Sequence, residues 1–111
     1  MFIAIVQLPG VARSREDAIA SGLASSPKFS GMDGLHTKYY LNGENGGGGV
    51  YIWESREKAE AFYTDDWYPA MEKVFGVRPT LTCYDNYVVV DNDAGEVRVE
   101  GEAVDPGEAA A

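Results

Sequence analysis

Cysteine, histidine and basic residues are scarce in this chain of 111 residues. A single cysteine, Cys83, excludes an internal disulfide and a cysteine-built zinc cage. His36 is the one side chain whose ordinary pKa lets it act as a base near neutrality. Only 9 Lys and Arg stand against 18 Asp and Glu, a formal charge of −9. An acidic surface repels phosphates, which disfavours nucleic acid and anionic membranes as partners. Long apolar runs are missing too. The N-terminal stretch Phe2–Leu8 is too short for a signal peptide or a membrane span and has no basic flank, which reads as a cytoplasmic protein. The length allows one core and no separate cofactor domain.

Acidic residues concentrate at the C-terminus. From Asp91 onward seven acids stand against Arg98 alone, with Gly95, Gly101, Pro106, Gly107 and three closing alanines. Such a segment buries too little to offset its ordering entropy, so residues 93–111 read as an acidic, mobile tail. Glu96–Val99 is a weak candidate for an edge strand.

Residues 1–92 read as the folded domain. Phe2–Leu8 is rich in β-formers and stops at Pro9-Gly10. Ser14 can cap a helix with Glu16 and Asp17 in its first turn, and Ser25-Ser26-Pro27 ends that helix. Strands follow over Leu35–Leu41 and Val50–Trp53, joined by a wide glycine-rich connection from Asn42 to Gly47. Ser55 caps a second helical stretch with an apolar stripe through Ala59, Phe62, Tyr63, Trp67 and Met71. Pro69 and the Asp65-Asp66 pair, which reads as a cap, break it near Asp65. Gly76 closes the helix and Thr80–Val90 makes the last strand. The Gly46–Gly49 run reads as a flexible turn and Cys83 as a small buried hydrophobe.

The order β-α-β-β-α-β is the ferredoxin-like α+β arrangement, a four-stranded antiparallel sheet with both helices on one face. The other face is bare. Along the second strand Leu35, Thr37, Tyr39 and Leu41 point one way and His36, Lys38 and Tyr40 the other, and neither set is fully polar. A homodimer packed sheet against sheet is the economical way to cover it.

Gly34-Leu35-His36-Thr37-Lys38, then Gly48-Gly49-Val50-Tyr51-Ile52-Trp53-Glu54-Ser55, then Phe75-Gly76-Val77-Arg78-Pro79 and Val88-Val89-Val90 together resemble the YdhR-like monooxygenases of the dimeric α+β barrel superfamily. The resemblance spans Phe2 to about Asn92. It implies a homodimer and kinship with the small monooxygenases of antibiotic biosynthesis, which oxidise polycyclic phenols without flavin, haem or metal. In those relatives a tryptophan near the end of the third strand lines the pocket, and Trp53 stands in the matching place.

The expected function is therefore a cofactor-independent monooxygenase acting on a small aromatic or polycyclic molecule in a cleft between sheet and helices. A dry aromatic cleft that favours the substrate's anion suffices, because an electron-rich phenolate can itself reduce dioxygen. His36, Lys38 and Trp53 are the catalytic candidates; Tyr39, Tyr51, Phe62, Tyr63, Trp67 and Met71 are the candidate substrate-binding walls. No metal ligands and no cofactor motif are read: the glycine run is not followed by Lys-Ser/Thr, and Asp65-Asp66 lacks metal-site spacing. Two other classes stay open, a non-catalytic binding or assembly dimer and an isomerase or cyclase using His36 or Lys38 for proton transfer.

Overall fold

Along β1 (Phe2–Pro9) buried residues alternate with more exposed ones, which marks a strand with one face in the core. It occupies the middle of a four-stranded antiparallel sheet of order β2-β3-β1-β4, with β2 at Leu35–Gly43, β3 at Gly46–Trp53 and β4 at Thr80–Asp85. Helices α1 (Arg15–Phe29), α2 (Arg56–Phe62) and α3 (Trp67–Phe75) complete the ferredoxin-like α+β domain. The computed structural model describes residues 1–105. Among them no helix is long and apolar enough to cross a membrane.

The core lies between the sheet and the helices. Phe2, Ala4 and Val6 of β1 and Tyr51 and Trp53 of β3 meet Ala59 and Trp67. Each large apolar side chain buried there contributes about 1.5–3 kcal/mol.

Four local features depart from the sequence expectation. Helix α1 does not stop at Ser25-Ser26-Pro27 but runs through Pro27 to Phe29. Proline cannot donate to the carbonyl of Leu23, but the Ser26 hydroxyl donates to that oxygen at 2.9 Å and takes its place. The glycine run is not a flexible turn. Gly46–Gly49 is ladder strand paired on both sides, and the connection shrinks to the two residues Glu44-Asn45. Gly48 has φ +147°, and a Cβ there would lie 2.0 Å from the Val6 carbonyl oxygen, so only glycine lets β3 lie this close to β1. Asp66 sits at the cap position of α3 without a side-chain capping bond. Cys83 is exposed rather than buried, because it lies on the edge strand β4.

The C-terminal third differs most. Thr80–Val90 is not one strand. Asn86 exchanges backbone bonds with Met1 at 2.8 and 3.0 Å where the ladder with β1 runs out, and its side-chain amide donates to the Val88 carbonyl. The chain then enters a second, three-stranded sheet of β5 (Val88–Asp91), β6 (Glu96–Val99) and β7 (Glu102–Val104). Most of the segment expected to be mobile thus pairs as hairpins. One face carries Arg98 bonded to Asp91 at 3.2 Å and Glu96 at 2.6 Å, and the other a row of valines. Pro106 to Ala111, the end of that expected tail, lies outside the described residues.

Candidate functional site

Helix α1 meets the sheet through Ser25, whose hydroxyl lies 2.8 Å from that of Tyr40, and through Phe29 beside Tyr51, yet other apolar residues of α1 stay exposed. Leu23 is 67% exposed on α1 and Val74 72% exposed on α3, yet both line a cleft of about 570 Å³. Residues that would be misplaced on a convex surface are in place on the wall of a ligand cleft of this size. The floor is built by Val6, Leu8, Tyr40, Gly49 and Tyr51, the inward residues of β1, β2 and β3. Gly49 keeps it open: a Cβ there would press to 3.1 Å from the Tyr51 ring and 3.4 Å from Lys38.

A bulge decides what β2 offers to this floor. Leu35 pairs with Trp53 and Thr37 with Ile52, so His36 is the extra, unpaired residue. Leu35 and Lys38 therefore share the inward side although they are three apart. His36 itself is exposed and is not part of the cleft wall.

Lys38 is the chemically distinctive group. Its Nζ lies 3.5 Å from the centroid of the Phe29 ring, 4.0 Å from that of Tyr40 and 4.8 Å from that of Tyr51. Three ring faces offset part of the hydration that the ammonium loses. Burial nevertheless dominates, helped by the neighbouring Lys28 charge, and brings the Lys38 amine down to about 8 from its ordinary 10.5. A lysine in that range exchanges protons near neutral pH. Tyr51 goes the opposite way: burial raises its phenol and keeps it protonated.

Of the residues expected at the site, Lys38, Tyr51, Phe62, Trp67 and Met71 do line the cleft. Trp53 does not. At 1% exposure it lies in the core behind Tyr51, the two rings stacked 6.2 Å apart, with its indole N–H donating to the Tyr63 hydroxyl at 3.3 Å. Tyr63 sits beside a smaller cavity of about 340 Å³ with Cys83, Arg56 and Asp85, and burial raises its phenol as well. Tyr39 is 58% exposed on the outer sheet face. Sequence reasoning missed Phe29, Lys28 and Arg13. Reading Pro27 as a helix stop hid the first two. The signal was present in Ser26, a hydroxyl placed to satisfy the carbonyl that proline leaves free.

Among the described residues no group of three His, Cys, Asp or Glu side chains is placed to hold a metal ion.

A scan against protein-family models finds no match, and a search of curated proteins finds none either. Among solved structures the chain is similar to the ActVA-Orf6 monooxygenase of Streptomyces coelicolor, crystallised in complex with the ligand nanaomycin D. The TM-score is 0.57 at 14% identity, covering 81% of this chain and 90% of that one. The two share a fold.

Proposed function

We propose that the protein is a small monooxygenase that oxidises an electron-rich aromatic or polycyclic molecule with dioxygen, without flavin, haem or metal. One observation carries this reading: a lysine amine near 8, held among three aromatic rings at the wall of an apolar cleft. The shared fold with a monooxygenase and the resemblance of Gly48 to Ser55 to the YdhR-like enzymes support it.

The chemistry follows from the groups in place. For an anthrone-type substrate, neutral Lys38 takes a proton from the activated CH₂ carbon. The carbanion reduces dioxygen, a C–O bond forms, and the peroxide oxygen takes the proton back from Lys38. Loss of water from the hydroperoxide, with the second carbon proton, leaves a quinone carbonyl. One dioxygen gives one quinone oxygen and one water, and the substrate supplies all the electrons. The aromatic floor keeps bulk water from the anion. His36 and Trp53, outside the cleft wall, take no part in these steps.

The outer sheet face carries Ile3, Ile5, Val50, Ile52, Tyr39 and Tyr84 on one side of the ladder, with Gln7, Thr37, Thr80 and Thr82 among them. A second copy of the chain is its occupant in this reading, and the valine face of β5–β7, where Val90 is 68% exposed, is a further apolar surface for it to cover. Sedimentation velocity tests this: a Tyr39→Asp variant should shift a dimer toward monomer, and a monomeric parent protein refutes it.

The activity test is oxygen uptake by chelator-treated protein over a panel of anthrones and naphthols, with quinone formation followed in parallel. Equal moles of dioxygen consumed and quinone formed are expected. Uptake no faster than the uncatalysed rate across the panel overturns the reading, and tight binding without turnover assigns the protein to ligand binding instead.

A further inference from the structure

The cleft is electrically unlike the rest of the molecule. Its wall includes Arg13, Lys28 and Lys38 and no carboxylate at all, in a chain of net charge −9. None of these three cations has an ion pair among the described residues, whereas Arg15, Arg56, Lys58 and Arg98 are all paired. Lys73 and Arg78 also lack an ion pair among the described residues but lie off this wall; three cations without a carboxylate in one apolar cleft give it a local potential suited to an anion.

The three are not together. Lys28 and Lys38 flank Phe29, both with Nζ within 5.5 Å of its centroid. Arg13 is at the opposite pole, beside Asn42 of β2. Asn42 lies four residues along β2 from Lys38, a span of about 13 Å. Arg13 is fixed there: its backbone N–H donates to Asn42 Oδ1 at 3.1 Å and its carbonyl accepts from Asn42 Nδ2 at 2.8 Å. Its guanidinium carbon lies 5.6 Å from the Phe75 ring centroid, and it makes no ion pair among the described residues, so its planar N–H fork can take a carboxylate. Leu8, Ile19 and Val74 supply apolar walls to the same cleft.

We propose that the occupant is a planar fused-ring acid, seated lengthwise with its carboxylate on Arg13 and its reacting ring at Lys38. This rests on the cleft being the functional site and deepens the functional reading by naming the substrate class. The polarity is set by the two poles: Arg13 is permanently charged, whereas Lys38 must lose its proton to act as a base and is unsuited to hold an anion at the same time.

The test uses two non-reacting probes of almost equal shape, anthracene-2-carboxylate and anthracene-2-carboxamide, titrated against the emission of the protein's tryptophans, of which Trp67 lines the cleft. At low ionic strength the acid should bind about fivefold to tenfold tighter than the amide, as an accessible Arg–carboxylate fork allows. In Arg13→Gln that ratio should fall to about twofold or less, with Arg13→Lys between the two. Equal binding of both probes to the parent protein overturns the inference and leaves the oxygenase reading standing. Loss of the preference in Lys38→Met but not in Arg13→Gln also overturns it, by moving the anion to the other pole. Binding of neither probe removes the inference together with the cleft reading.

Discussion

Replacing Lys38 by methionine removes the amine while keeping an unbranched apolar side chain against Phe29, Tyr40 and Tyr51. With the amine near 8, about one molecule in ten carries the neutral form at pH 7 and about nine in ten at pH 9. After subtraction of the uncatalysed reaction, kcat/KM of the parent protein should therefore rise roughly tenfold over that interval and level off above it. Lys38→Met should lose about 10²–10⁴ in kcat/KM together with the inflection. Lys28→Gln should keep the high-pH plateau rate but move the inflection upward, because the Lys28 charge is one of the two causes that lower the amine. Stability supplies an independent reading of the same group. The folded amine binds its proton more weakly than the unfolded one, so its burden on the fold is full below pH 8 and disappears as the pH rises toward 10.5. Lys38→Met should thus stabilise the fold at pH 7 by roughly 1–2 kcal/mol once screening of a half-exposed group is allowed for, read as a higher Tm, and much less at pH 10. A Lys38→Met variant with the parent's pH–rate profile, or with no pH-dependent gain in Tm, would refute the assignment.

Trp53→Phe should cost about 2 kcal/mol in denaturant unfolding, from the lost volume and the lost bond to Tyr63, with kcat within threefold of the parent's. A large loss of kcat at unchanged stability would put Trp53 back at the chemistry. His36→Ala, at an exposed bulge position, should change neither the rate nor the stability by more than about 0.5 kcal/mol, as steady-state kinetics and melting will show. Gly48→Ala forces a Cβ against the Val6 carbonyl and should cost about 3 kcal/mol or more; a normal melting curve would contradict the close packing of β1 and β3.

The fold was legible because its signals are local. β-Rich runs bounded by glycine and proline, serine caps at Ser14 and Ser55, and a helical stripe broken near Asp65 are each set within a few residues. The same locality explains half of the site: Tyr51, Phe62, Trp67 and Met71 follow from which face of a strand or helix is inward. Trp53 shows the limit of that rule. Its periodicity places it on the inward face beside Tyr51, but whether an inward residue meets a cleft or solid core depends on what lies above it: Ala59 and Phe62 of α2 pack over Trp53, whereas the cleft opens over Tyr51 and Tyr40.

The chain by itself determined the element order, the ferredoxin-like class and the scarcity of histidine and cysteine, because composition and short-range periodicity settle those. Tertiary structure alone decided the rest. The β2 bulge detached His36 from the face of Lys38, and the end of the β1 ladder at Met1 diverted Val88 into a second sheet. Each is a hydrogen bond made or lost between segments far apart or at a register, and such choices depend on the neighbouring strand or helix rather than on the residues that make them.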